Sequence, residues 1–578
     1  MAGESLSFWV DPVHARRNLR LLRTFFWSST IAAGFLQAWS ARFWLSPDPI
    51  NYLDIASAYL RGEWKSAVNA YWSPVFSWLL ALCLGLFRPN AYWESTLLHL
   101  LNLGGLLVAL RCFEFFFRSF LRIRTRFDAV GSEKFGDLVW WALGYGLFLS
   151  TSLFVLSNSS TTTPDVWVSA ATYIASGLLL RIRAEGGGWR LFVTLGFVLG
   201  CAYLTKTFYF PLSFVFLVTA ALSTGSPRKT LQQAVLGLAV FGLVAGPWVA
   251  ALSLAKHRFT YGDVGAINYA VVVDRLPQPW RGENGTGTPK HPLRQLLSKP
   301  KIYEFVTPDG EASPPGLDWS YWMEGLQPHF DLRGQLSALR QSFGTFVQIA
   351  LIQIEYGVGL LILFFLASDK RGWITSFRRL WYFWIPPLAA CLSYALVRVE
   401  GRFVAPFVLL LWVAAFACLI GAAPEISGRT ATAIVLAILS ATGLRVAKSM
   451  ETNVVACLSR QENLNWEVSE GLRALGIHPG DRVSTVSGIG RTYWARLAGV
   501  AIVSGIPSGE EDVFWAADDQ TKRRVFEAFA STGARIAVTE DPPPGAINED
   551  WLRLGKTNLY GHLLPPHDPT KDASEATR

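Results

Sequence analysis

Apolar runs about twenty residues long, separated by short cationic clusters, recur from residue 24 to residue 448 and admit few folds other than a bundle of membrane helices. Candidate spans fall at 24–44, 93–117, 138–157, 165–183, 190–206, 208–223, 231–254, 343–366, 379–397, 403–422 and 430–448, about eleven in all. Composition agrees: 51% of residues are hydrophobic and 16% charged, unlike an ordinary soluble enzyme. The net charge of +9 would suit nucleic acid, but its Arg and Lys lie in clusters between apolar runs, where they read as an orientation signal. No nucleic-acid partner is expected. The six cysteines form no CxxC pair, so neither a disulfide framework nor a zinc-cysteine site is implied.

The apolar run "PVFSWLLALCLGLF", 74–87, is left out of the spans because at helical rise it reaches only about 21 Å, short of a hydrocarbon core of about 30 Å. It reads as an interfacial or re-entrant helix. With that choice Arg16, Arg17, Arg20 and Arg23, then "RSFLRIRTR", "RIRAEGGGWR", "SPRK" and "DKRGWITSFRR", all fall on one side, as the positive-inside rule requires. Residues 190–223 are too long for one span, so the chain must turn near Lys206 and Pro211. The N-terminus is then cytoplasmic, starting with a retained first helix. Segments 45–92, 158–164, 255–342, "RVEGR" and 451–578 are extracytoplasmic, in an inner or plasma membrane.

After Met450 the character changes. "GDRVSTVSG", "GVAIVSGIP" and "GARIAVTED" read as strands bounded by Gly and Pro, and "DDQTKRRVFEAFAS" as a helix. The fold class expected is a polytopic α-helical membrane protein with a small C-terminal extracytoplasmic α/β domain. Its parts are a membrane domain at 1–450, the α/β domain at 451–565 and a disordered tail at 566–578. The glycine pair Gly488 and Gly490 falls short of a dinucleotide fingerprint, and no organic cofactor is assigned.

The stretch "PDPINYLDIASAYLRGEWKSAVNAYWSPVFSWLLALCLGLF" resembles the first outer loop of the C-type glycosyltransferase superfamily, in particular the protein O-mannosyltransferases and aminoarabinose transferases. "TTTPDVW", "GFVLGCAYLTKTFYFPL" and "RFVAP" are similar to further segments of that family. The resemblance covers roughly 20–420 and leaves the 255–342 loop and the tail unexplained. It implies a membrane enzyme moving a sugar from a polyprenyl-phosphate carrier to a glycan, lipid or protein acceptor, with membrane lipid as its surroundings. Such transfer needs a base for the acceptor hydroxyl and cations for the departing phosphate.

By the resemblance Asp48 is the candidate base. Asp54, well off its face, supports the loop or binds acceptor, and Tyr52 lies on the same helix as a substrate-binding candidate. Alternatively, Asp48 and Pro49 simply start a helix, with Asp48 as N-cap. Asp165 caps a helix, or holds donor or a divalent metal ion; His291 is the other metal candidate, or a surface histidine. Lys206 snorkels to the interface or contacts lipid phosphate. Arg398, Glu400 and Arg402 form a local salt bridge, or Arg402 contacts phosphate through its guanidinium fork, with Arg398 beside it. Glu94 is a weaker site candidate near the outer end of its span, and Arg111 and Glu114 pair within it. The long loop, rich in aromatics, suits sugar or acceptor binding.

A transporter or flippase for a lipid-linked or anionic solute would also show many spans, but it should hold its ionisable groups near the bilayer midplane. Here Asp48, Asp165, Lys206 and Arg402 all map to one surface, which favours an interfacial enzyme. An inactive family member that recruits partners through its outer domain is the third alternative.

Overall fold

The computed structural model of the chain describes residues 12–124, 136–156, 162–275, 294–305, 328–367, 370–422, 426–459, 461–486, 492–507, 509–545 and 550–565. His291, the glycine pair at 488–490 and the tail 566–578 lie outside these described residues.

Most of the chain is helical. The first helices are α1 (Pro12–Ser40), α2 (Pro47–Arg61) and α3 (Pro74–Phe87). A bundle follows of α4 (Glu94–Arg124), α5 (Asp137–Ser150), α6 (Asp165–Glu185), α7 (Trp189–Thr205), α8 (Tyr209–Leu222) and α9 (Pro227–Ala255). After the short α10 (Val264–Val272) come α11 (Leu332–Ile352), α12 (Ile354–Leu366), α13 (Lys370–Arg379), α14 (Trp381–Ala395), α15 (Gly401–Ala422) and α16 (Gly428–Leu458).

Helix α3 has the extent of the run judged too short to span. Pro74 opens it, and Arg88, at φ 44°, closes it in the left-handed region. Phe76, Leu80 and Leu84 are buried on one side, while Trp78, Leu82, Leu86 and Phe87 are exposed. By length and composition, five helices among the described residues can cross a membrane: 91–124, 137–155, 228–255, 401–420 and 428–458. The count rises to six if α11 and α12 form one broken span. That criterion omits five of the eleven spans expected: α7, α8 and α14 have 17, 14 and 15 residues, and α1 and α6, with 29 and 21, are long enough but are not among the helices it counts.

The span expected at 343–366 is not one continuous helix, because α11 and α12 meet at an 81° bend. Gln353 occupies the break, fully buried, where its side chain donates to Thr151 Oγ1 (2.8 Å) and accepts from Trp412 Nε1 (2.9 Å). A polar residue that must find partners inside the bundle breaks the apolar helix.

Small residues let the helices approach closely. A Cβ on Gly105 of α4 would stand 2.8 Å from Val166 of α6, and one on Gly196 of α7 would stand 2.0 Å from the carbonyl oxygen of Gly237 in α9. Backbone cannot yield as a side-chain tip can. Gly196→Val is therefore expected to cost about 1–3 kcal/mol or more, read as a lowered melting temperature and a reduced yield of monodisperse protein after detergent extraction. Elsewhere in the bundle, Glu114 is buried and satisfied by Arg23 Nε (2.8 Å), Trp27 Nε1 (2.7 Å) and Tyr145 OH (2.8 Å). Arg111 stands further off, at 3.8 Å.

Helix α16 runs on to Leu458, past the boundary expected at 450. Beyond it, β3 (Arg482–Thr485), β4 (Ala501–Gly505) and β5 (Ala534–Glu540) are parallel. The crossovers contain α18 (Tyr493–Ala498) and α19 (Asp519–Ser531), and α17 (Leu464–Ala474) precedes β3. Strands β6 (Trp551–Arg553) and β7 (Leu559–Leu563) continue one edge antiparallel. The other edge is completed by β1 (Arg294–Ser298) and β2 (Lys301–Glu304), a hairpin from the long loop, giving the order β1-β2-β4-β3-β5-β7-β6.

Candidate active site

A cavity of about 590 Å³ opens where several helix ends meet. Its walls are the first turns of α2, the turn at Tyr71–Ser73, Thr163–Asp165 at the start of α6, Thr205–Phe208 between α7 and α8, the segment 258–268, and 393–403 between α14 and α15. Asp48, Tyr52, Asp165, Lys206, Arg398 and Arg402 all line it. Asp54 and Glu94 do not.

Each charged group is placed by a helix boundary. Helix α2 begins at Pro47 after Ser46, so Asp48 lies inside the first turn and is not the N-cap. Its Oδ2 accepts from Arg402 Nη2 at 2.9 Å. Arg402, in the first turn of α15, also donates from Nε to Glu400 (2.7 Å) and stands 4.0 Å from Asp165. Arg398 pairs with Glu400 at 2.7 Å and is largely exposed. Lys206 follows α7 in extended backbone, φ −154°. That ends the helix and aims its ammonium at Asp165 Oδ1, 2.5 Å away, over the face of Phe403, 3.7 Å from the ring centre. Asp165 takes a second bond from Thr163 Oγ1 at 2.7 Å, and Asn102 of α4 holds the Thr163 carbonyl (3.1 Å).

Exposure separates the carboxylates. The Asp165 side chain is 4% exposed and Glu400 24%, while Asp48 is 34% exposed. Asp165 holds cations in place, and Asp48 is the acid most open to a ligand. Tyr52 is buried against Trp72 and Phe76. Burial first, and then the Asp48 charge, keeps its hydroxyl well above its ordinary pKa, so it is a neutral hydrogen-bond donor. For the same two reasons Tyr71 is pushed up to about 12.

Asp54 and Glu94 meet instead at Arg496 of α18. Arg496 donates to Asp54 Oδ1 at 2.5 Å and to both Glu94 oxygens at 2.8 Å. Burial raises the Asp54 pKa despite that partner. Sequence reasoning also missed Tyr71, Asn268 and the Arg258–Asp263 pair (2.6 Å), all on the cavity wall. For Arg258, Asp263 and Asn268 the one trace was the composition of the long loop, and Tyr71 stood unremarked in the first outer loop.

No protein-family model matches the sequence, and no curated protein matches it. Solved structures do. Superposition on ArnT from Cupriavidus metallidurans bound to undecaprenyl phosphate covers 94% of this chain and 99% of that one, with a TM-score of 0.53 and 13% identity. The apo state of the same protein gives 0.52 with the same coverage and identity. The fold is shared with these two ArnT structures over nearly the whole of both chains. At 13% identity the likeness is one of architecture, and the chemistry rests on this chain's own residues.

Those residues place two cations, Lys206 and Arg402, beside a partly open carboxylate at the ends of apolar helices. Asp165, a metal candidate by sequence, has its oxygens engaged by Lys206 and Thr163. Among the described residues no three His, Cys, Asp or Glu side chains converge as a ligand set. The arrangement suits an anion held by Arg402 and Lys206 next to a group that gives up a proton to Asp48.

Proposed function

We propose that the protein is an integral-membrane glycosyltransferase that moves a sugar from a polyprenyl-phosphate carrier to an acceptor hydroxyl on the extracytoplasmic side. The observation that carries this reading is the meeting of Asp48, Asp165, Lys206 and Arg402 in one cavity, in a fold shared with a protein solved with undecaprenyl phosphate. Arg402 and Lys206 bind the carrier phosphate, exchanging some of their carboxylate contacts for phosphate oxygens. Asp48 takes the acceptor proton as the acceptor oxygen bonds to the sugar's anomeric carbon. The bond from that carbon to the carrier phosphate breaks, and the two cations stabilise the leaving polyprenyl phosphate. Tyr52 and Tyr71 supply neutral hydroxyls to the wall. The acceptor is a glycan, a lipid or a protein.

The helix directions support the sidedness. Helix α6 starts at the cavity with Asp165 and ends with Arg181 and Arg183, whereas α7 starts beside Arg190 and ends at the cavity. On this reading the cations at the far ends face the cytoplasm across an inner or plasma membrane.

Reconstituted protein supplied with polyprenyl-phosphate sugars and cell-envelope acceptors tests the reading. Release of free undecaprenyl phosphate with appearance of labelled product is expected. Movement of the intact lipid across vesicles without cleavage would instead make the protein a flippase.

A further inference from the structure

We infer that Arg496 is a positioning residue: the fork it extends from the C-terminal sheet region to Asp54 and Glu94 fixes the orientation of α2, and with it Asp48 and Tyr52. The Arg496 side chain is 11% exposed, Asp54 is 1% exposed and Glu94 13%. Nε and Nη2 engage the two Glu94 oxygens, Nη1 reaches Asp54, and Nη2 also donates to Ser57 Oγ at 2.8 Å. One guanidinium thus ties α2 to the start of α4. The apolar contacts run the same way, since Tyr493 and Leu497 of α18 belong to one buried cluster with Tyr52, Leu53, Ile55 and Leu98. Asp54 is less than two turns from Asp48, about 9 Å along a rigid helix, so rotation or slippage at one reaches the other. A lysine is a point charge and cannot span both acids as the planar fork does.

What Asp48 does rests on the function proposed above, but the hold on α2 does not. The test uses the full chain in lipid nanodiscs. One variant is Arg496→Lys; the other combines Arg496→Met, Asp54→Asn and Glu94→Gln, which removes the fork without leaving a buried charge unpaired. Hydrogen exchange is followed peptide by peptide, alongside donor KM and kcat. In the triple variant, protection of α2 is expected to fall about tenfold or more while α4, α6 and β3–β5 keep theirs. The expected change in kcat is about tenfold, with donor KM within about twofold, and Arg496→Lys falls between. Unchanged α2 protection overturns the inference, as does a uniform loss across bundle and sheet, which would make Arg496 a general stabiliser. Selective loosening of α2 in a protein that transfers no sugar leaves the positioning role standing and removes the glycosyltransferase reading instead.

Discussion

Asp48→Asn is expected to lower sugar transfer about 10²–10⁴-fold, the usual contribution of a positioned general base, while leaving the folded protein able to bind its polyprenyl-phosphate donor. The amide keeps the shape of the carboxylate and can still face Arg402, but it cannot take the acceptor proton. Arg402 retains Glu400 at 2.7 Å and Asp165 at 4.0 Å, so its charge stays compensated. The loss should therefore appear in kcat, with donor KM nearly unchanged. Transfer of labelled sugar, normalised to monodisperse protein, decides the matter. Wild-type kcat in Asp48→Asn would remove Asp48 from the chemistry.

Arg402→Met is expected to act differently, lowering donor kcat/KM about 10²–10³-fold by removing a donor aimed at the developing phosphate charge. Donor affinity should fall with it, because the fork meets phosphate in the ground state too. Lys206→Met provides the contrast. Asp165 is almost fully buried against Lys206, so losing the lysine leaves its charge to Thr163 and to Arg402 at 4.0 Å, a cost approaching the about 3–5 kcal/mol of a broken buried pair. That variant should fail to accumulate. Lys206→Met combined with Asp165→Asn should restore folded protein without restoring donor use. If the double variant transferred sugar normally, the cation would be structural alone.

What the sequence disclosed tracks how local each determinant is. The limits of α3 were readable because a 14-residue apolar run bounded by Pro74 and Arg88 has its length written into it. The break at Lys206 was readable because 190–223 exceeds one membrane thickness. The bend at Gln353 was missed, since one glutamine in an apolar stretch does not show that its partners, Thr151 and Trp412, lie on other helices. Six candidates taken from local motifs line one cavity. Asp54 and Glu94 could not be separated from them, because their partner Arg496 lies 442 and 402 residues away. No periodicity reports a contact at that distance. The wall at 258–268 was equally hidden, as its loop has no repeating pattern to read.

The hairpin at 294–304 has a consequence for the order in which the molecule is assembled. Its strand β2 pairs with β4, through Tyr303 with Gly505 and Glu304 with Ser504, and its Ile302 and Tyr303 are buried on the two faces of the finished sheet. During synthesis these residues emerge about two hundred positions ahead of β4, at some 5–20 residues per second, so for ten seconds or more they have an open strand edge and no core. Helices α11 to α16 are synthesised in that interval. The sheet therefore closes last, after the bundle, and chains stalled or cut before β4 should expose this hairpin to chaperones and proteases.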